Sequence, residues 1–285
     1  MTTWYYNDYL QWIKDGCKIN NKVTELNISY NNLVELSNFI NNLINLQTLI
    51  CAYNKLKKIP KTLGFLINLQ KIDCSDNDLV ELPETINNLI NLQELYCDQN
   101  LLTKLPNTLS NLINLHTLQC SANQLTELPK TFGNLINLRN LYCSYNKLTK
   151  LSTTLSNLIN LQELSCFENK LTNLPISIIK LKHLQLLEYD EYIQLPTILQ
   201  RFIHRINNRI NNNVHNTYIQ TSLLDSINNL LLEITITTKY NIIYDNILDS
   251  KTKSILYNFI EDKTIGKLLV TFEELLIYIL QKIDN

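Results

Sequence analysis

From Val23 onward the chain repeats one pattern of apolar and polar positions at a fixed step of 23 residues. The units begin at Val23, Leu46, Leu69, Leu92, Leu115, Leu138, Leu161 and Leu184. Counting each start as position 0, apolar residues return at positions 3, 10, 13, 17 and 20. Position 5 is Cys in most units and position 8 is Asn. Position 14 is Pro at Pro60, Pro83, Pro106, Pro129 and Pro175, with Ser37 and Ser152 as the exceptions. Eight registers in agreement, with no insertion between them, mark an internal repeat.

The spacing within one unit predicts its shape. In the unit that starts at Leu92, Leu92, Leu95 and Cys97 bracket Tyr96, an alternation that suits a short strand with one buried face. Beyond Asn100 the apolar spacing widens to about three, through Leu102, Leu105, Leu109 and Leu112, so the chain turns back around the same interior. One such unit cannot bury its apolar face alone, and stacked copies supply the missing wall. Stacking brings the strands into a parallel sheet with neighbours ~4.8 Å apart, on the inner side of a curve. Residues 1–22 lie outside the repeat and read as an N-terminal cap. Asn7 starts a short helix there, Leu10, Trp12 and Ile13 are its apolar positions, and Gly16 ends it. Trp4, Tyr5 and Trp12 read as a cover for the first rung, which has no neighbour on one side. The last unit decays: Tyr192 stands where Asn is due, and Leu195–Pro196 arrives two residues early.

These residues resemble the leucine-rich repeat family. The pattern LxxLxCxxNxLxxLPxxLxxLxN is similar to the 23-residue intracellular type found in Ras-group and related scaffold proteins. The resemblance covers residues 23–196 and implies an α/β fold, a right-handed horseshoe solenoid with a concave parallel sheet, and a role in protein recognition. It brings no catalytic residue with it and does not reach residues 197–285.

Past Thr197 the step of 23 is lost and the apolar spacing becomes helical. Ile198, Leu199, Phe202 and Ile206 fit one helix face, and Leu223, Leu224, Ile227, Leu230, Leu231 and Ile234 fit another. Ser250 caps a third helix, and Thr271 with Glu274 forms a capping box before a fourth. Residues 197–285 are thus expected to form an α-helical C-terminal domain.

Composition removes several classes of function. Apolar residues make up 45% of the 285 and the formal net charge is −1, so a core is expected and a nucleic-acid partner is not. The four glycines are scattered, which excludes the clustered glycines of a phosphate-binding loop. The N-terminus lacks a secretory signal, and the longest apolar run, Leu275 to Leu280, is far below the ~20 residues that span a bilayer. The chain reads as cytoplasmic. Heavy use of Asn and Ile reads as the codon bias of an AT-rich genome.

Candidate chemistry changes the picture little. Cys51, Cys74, Cys97, Cys120, Cys143 and Cys166 occupy an apolar position of the pattern and read as small buried hydrophobes. No CxxC pair suggests zinc, and adjacent rungs hold their Cβ atoms too far apart for disulfides. The column from Asn31 to Asn169 and a second from Asn45 to Asn160 read as structural, satisfying backbone groups. The four histidines share no metal spacing, and no nucleophile motif is present. Residues 197–285 contain no cysteine, so they lack the nucleophile of a thiolate ubiquitin ligase. No cofactor, metal, membrane or small-molecule substrate is expected, and the chain does not read as an enzyme.

The concave face remains. Strand neighbours alternate, so positions 2, 4, 6, 7 and 9 are expected to face solvent. They give an acidic zone (Asp73, Asp76, Asp78, Glu94, Asp98) and an aromatic one (Tyr142, Tyr145, Phe167). Exposed tyrosines on a rigid sheet are the kind of anchor found in interfaces. The candidate protein-binding residues are Tyr53, Asp73, Asp76, Tyr96, Asp98, Tyr142, Tyr145 and Phe167. The function expected is a non-enzymatic module that binds a protein partner there. The alternative is an adaptor in ubiquitin transfer acting through the helical C-terminal region.

Overall fold

A computed structural model describes residues 2–206, which fall within a compact unit of residues 1–207. The helices expected around Leu223, Ser250 and Thr271 lie outside the described residues.

Each unit contributes one three-residue strand at the predicted place: β3 (Thr48–Ile50), β4 (Lys71–Asp73), β5 (Glu94–Tyr96), β6 (Thr117–Gln119), β7 (Asn140–Tyr142), β8 (Glu163–Ser165) and β9 (Leu186–Glu188). The longer β2 (Val23–Asn27) opens the series. All pair in parallel and in sequence order, and the register advances by one unit per strand, so that Ile72, Leu95, Leu118, Leu141 and Leu164 stack in one row. That row and the Cys51-to-Cys166 row are fully buried. The thiols are free and point into the interior. Cys74, Cys97, Cys143 and Cys166 reach the carbonyl of the next rung at 3.3–3.4 Å. Burial pushes their titration upward, so they sit as protonated small hydrophobes.

The return path is a series of 3₁₀ turns, the helix type whose period of three matches the widened leucine spacing. Proline starts most of them: Pro60 and Pro83 sit near φ −65, and their carbonyls accept from Leu63 and Ile86. Where Pro is missing, the serine side chain takes over the start. Ser37 accepts from the Phe39 N–H and Ser152 from the Thr154 N–H, both at 3.2 Å.

The N-terminal segment differs from expectation in one respect. Thr2–Tyr5 forms a further parallel strand, β1, paired with β2, which brings the sheet to nine strands. Helix α1 (Tyr6–Lys14) therefore begins right after that strand, and Asn7 is not its cap. The Tyr5 N–H is taken instead by the Asp8 carboxylate at 2.9 Å. The buried face is Tyr9 and Trp12, while Ile13 is exposed, because the strand fixes the helix phase against the first rung. Tyr9 accepts from the Ser37 N–H at 2.8 Å, and Trp12 donates to the Lys18 carbonyl at 2.7 Å. At the other end residues 197–206 are helical. Leu199, Phe202 and Ile206 are buried there as expected, whereas Ile198 is exposed and Ile203 completes the buried face in its place.

Two asparagine ladders bind the rungs. Each inner asparagine from Asn77 to Asn169 donates to two carbonyls of its own turn and to the Cys carbonyl or its equivalent one unit back, and accepts a backbone N–H of the previous unit. Outer asparagines, from Asn45 to Asn160, each make one bond to a carbonyl of the previous unit. In the decayed last unit Asp190 takes over part of this work, accepting from the Glu168 N–H at 2.6 Å, while the Tyr192 hydroxyl donates to the Asn169 carbonyl at 3.0 Å.

Position 7 holds a feature with no mark in the residue types. Tyr30, Tyr53, Asp76, Gln99, Ala122, Tyr145 and Glu168 all have φ between 51 and 60. That left-handed conformation costs a residue with a Cβ roughly 1–2 kcal/mol. Ala122→Gly is therefore expected to stabilise the fold by about 0.5–1 kcal/mol, after the larger unfolded-state entropy of glycine is subtracted. Ala52, buried at position 6 and not left-handed, gives the reverse control. Ala52→Gly should lose about 0.5–1 kcal/mol. Paired urea melts check both signs.

Candidate functional site

In β3 to β7 the middle residue is buried and its two neighbours, at positions 2 and 4, are partly exposed on the opposite side of the sheet, whereas in β8 Ser165 at position 4 is buried too. Asp73, Tyr96 and Tyr142 therefore stand at position 4 on that face, as expected. Tyr53 and Tyr145, at the left-handed position 7, are exposed, and Asp76 is half-buried there. Position 6 differs from expectation: Ala52, Ser75 and Ser144 are buried, because the chain bends inward before the left-handed residue. Asp98 and Phe167 share that position and are consequently half-buried.

Side chains meet across adjacent rungs. Lys71 lies 3.1 Å from the Glu94 carboxylate and 4.8 Å from the centre of the Tyr96 ring. Tyr96 in turn donates its hydroxyl to Glu94 at 3.0 Å. Glu94 is thus neutralised locally, and the acidic zone contracts to Asp73, Asp76 and Asp98. Burial, followed by the neighbouring carboxylate, pushes the Tyr96 hydroxyl up to about 12. Tyr142 donates to Glu163 on the next strand, and its titration is also raised to about 12 by burial first and that carboxylate second.

Aromatic side chains pair in the same manner. Tyr30 and Tyr53 stack at 4.3 Å with planes 8° apart, and Tyr145 meets Phe167 edge-on at 5.0 Å. Tyr30 and Lys71 were not among the residues singled out from the sequence. Their signal was the repeat step itself, which places residues 23 apart side by side.

Asp98 is the outlier of the face. Five other units carry Ser29, Ala52, Ser75, Ser121 and Ser144 where it stands, the seventh has Phe167, and the aspartate of the decayed last unit, Asp190, is hydrogen-bonded. One of its oxygens, Oδ1, is enclosed with no hydrogen-bond partner among the described residues. Burial, with the Asp73 and Asp76 charges adding to it, raises its titration from 3.8 to about 6. Asp76 is held by the Gln99 amide at 3.0 Å, and Asp73 accepts from the Ser75 N–H at 3.2 Å. The acidic zone is thus built on Asp98, a strained member, and two better satisfied ones. Among the described residues no helix is long and apolar enough to cross a membrane.

Comparison with known proteins agrees with this architecture. Residues 23–144 match the family model described as a leucine-rich repeat region. No curated protein matches the sequence. Among solved structures, a leucine-rich-repeat protein of Leptospira interrogans is 34% identical with a TM-score of 0.61, covering 64% of this chain and 47% of its own. The leucine-rich-repeat ectodomain of the Arabidopsis thaliana receptor kinase GASSHO1/SCHENGEN3, solved in complex with CASPARIAN STRIP INTEGRITY FACTOR 2, is 32% identical with a TM-score of 0.55. That match covers 58% of this chain and 21% of the receptor chain. An internalin of Listeria monocytogenes, 24% identical with a TM-score of 0.55 over 62% of this chain and 50% of its own, shares the fold. The chain therefore spans less than half the length of the Leptospira protein and about a fifth of the plant ectodomain. Strand register, buried leucine rows and asparagine ladders all repeat in the step that this family model captures, and residues 23–144 are a leucine-rich repeat region.

Proposed function

We propose that the chain is a non-enzymatic protein-interaction module that holds its partner on the concave sheet face, between β3 and β8. The observation that carries this reading is where variation falls. Positions 0, 3, 5 and 8 are nearly uniform from unit to unit and mostly buried, whereas positions 2, 4 and 7 vary in residue type along the array and, apart from the buried Ser165, are at least partly exposed. A rigid scaffold with a variable face is a means of encoding one partner. The exposed rings of Tyr53 and Tyr145 give contact area at low entropy cost. The stacked and edge-on aromatic pairs hold part of this face in place before any partner arrives. Asp73, Asp76 and Asp98 favour a partner with a basic side chain opposite them. The plant ectodomain, solved with CASPARIAN STRIP INTEGRITY FACTOR 2, supports the reading by likeness of fold.

The test is affinity capture with the full chain and with the Tyr96→Ala, Tyr142→Ala, Tyr145→Ala triple variant. A partner held by wild type is expected to weaken at least about tenfold, since aromatic anchors each contribute on the order of 1–2 kcal/mol or more. Full retention by a variant with an unchanged melting temperature would place the contact elsewhere.

A further inference from the structure

Position 21 of the repeat is isoleucine in six consecutive units: Ile44, Ile67, Ile90, Ile113, Ile136 and Ile159. It follows a leucine that is buried in each unit, yet the isoleucines themselves are 45–58% exposed. One register before the row stands Asn21 and one register after it Lys182, so the apolar row has polar ends. The row lies outside the strands, in the segment between each 3₁₀ turn and the next strand. Solvent-facing positions at a repeat surface have no need of a β-branched hydrocarbon, and six in a line form a continuous apolar ridge.

Three properties define what the ridge fits. First, its backbone is already occupied: the outer asparagines donate to the carbonyls of Ile44, Ile67, Ile90, Ile113 and Ile136 at 2.8–3.2 Å. An added strand therefore finds those acceptors taken, and side chains make the contact. Second, both flanks are uncharged. The residues at position 22 are all asparagine along the row, and those at position 19 are asparagine except for Phe65, which is itself exposed. Along the row these flanks carry no lysine or arginine, and the basic Lys180 and Lys182 stand only past its far end, so the ridge lacks the basic border that an anionic lipid surface or a nucleic acid requires. Third, its period is the rung spacing, ~4.8 Å at the sheet. The surface sure to present isoleucines at the same period is another copy of the ridge.

We propose that this ridge is a self-association surface, on which a second copy of the chain packs its own isoleucine row. Like faces meet there without charge repulsion, in a self-complementary contact of the kind that twofold dimers use. The six half-exposed isoleucines and their amide borders form one strip across six rungs, from which an interface of the standard size, roughly 800 Å² per partner, is built together with the residues beside it. The surface is separate from the variable sheet face, so a pair of chains retains both faces for partners.

The experiment is sedimentation analysis of the full chain over a concentration series, beside the Ile90→Lys, Ile113→Lys variant. Because both positions are exposed, the variant is expected to keep the wild-type melting temperature. A milder Ile90→Ser, Ile113→Ser variant decides the case if it does not. Wild type should move from one to two chain masses on a Kd scale of roughly 10 µM, and the variant should stay at one mass throughout. A wild type that remains at one mass at roughly 200 µM, some twentyfold above that scale, overturns the proposal. So does a variant that dimerises as well as wild type. Zwitterionic vesicles that pellet wild type but not the variant, with wild type at one mass in solution, would assign the ridge to lipid instead.

Discussion

Asn100→Ala lowers the stability of the repeat array by about 2–4 kcal/mol, and Asn91→Ala by less than about 1 kcal/mol. Both substitutions remove an asparagine amide from the same unit, and the contrast between them rests on burial. Asn100 is 6% exposed. Its amide N–H groups serve the carbonyls of Cys74 at 3.0 Å, Cys97 at 3.3 Å and Asp98 at 3.0 Å, so two protons are shared among three acceptors. Its oxygen accepts from the Leu79 N–H at 3.0 Å. Alanine leaves the buried Leu79 N–H without its acceptor, at roughly 1–3 kcal/mol. It also takes one donor from each carbonyl, although Cys74 keeps the Asn77 amide, Cys97 the Asn123 amide and Asp98 the Asp76 N–H. Asn91 is exposed and makes one bond, to the Ile67 carbonyl at 2.9 Å, which water replaces. Urea unfolding measures both. Because neighbouring units are coupled only through their interfaces, the lesion at Asn100 also separates the array into two shorter blocks, and a broader transition with a smaller slope is expected. Equal losses at the two positions would show that the inner ladder contributes no more than a surface bond.

The ladder also shows which parts of this protein were legible as sequence. Columns of one residue type at a fixed step gave the strands, the buried leucine and cysteine rows and both asparagine ladders, because stacking permits little variation at those positions. Strand β1 was missed because Thr2–Tyr5 lies before the first unit and has no earlier copy with which to agree. The helix that starts at residue 197 was found with Leu199, Phe202 and Ile206 on its buried face, but Ile198 was placed inward where Ile203 stands. There the isoleucines and leucines are too dense for spacing alone to fix the face. The left-handed column was invisible, since tyrosine, aspartate, glutamine, alanine and glutamate occupy it and the geometry comes from the bend between rungs. On the sheet face, alternation placed Asp73, Tyr96 and Tyr142 outward. Strict alternation stopped at the bend, and so it put position 6 on the surface when its residues are buried or half-buried.

That bend sets the expected behaviour of Asp98. Because its carboxyl titrates near 6 in the fold and near 3.8 when unperturbed, the folded state holds the proton more tightly than the unfolded chain. The stabilisation that protonation brings is complete below about pH 4 and is lost as pH rises through about 6. A shift of this size corresponds to nearly 3 kcal/mol for an enclosed group, and partial exposure reduces it to about 1–2 kcal/mol. Asp98→Ser, which installs the residue found at this position in neighbouring units, removes the penalty. The variant is expected to be about 1–2 kcal/mol more stable than wild type at pH 8, with the difference closing toward pH 4. Melts at the two pH values check it, and a difference that is the same at both would show that the carboxylate carries no such penalty. The same variant bears on function. A chain that keeps a half-buried carboxylate with one unpartnered oxygen where five other units use serine or alanine gives up stability at that point, as residues held for binding commonly do. If the sheet face holds a basic partner, Asp98→Ser should weaken capture even as it raises the melting temperature. A repair of folding alone would raise both together.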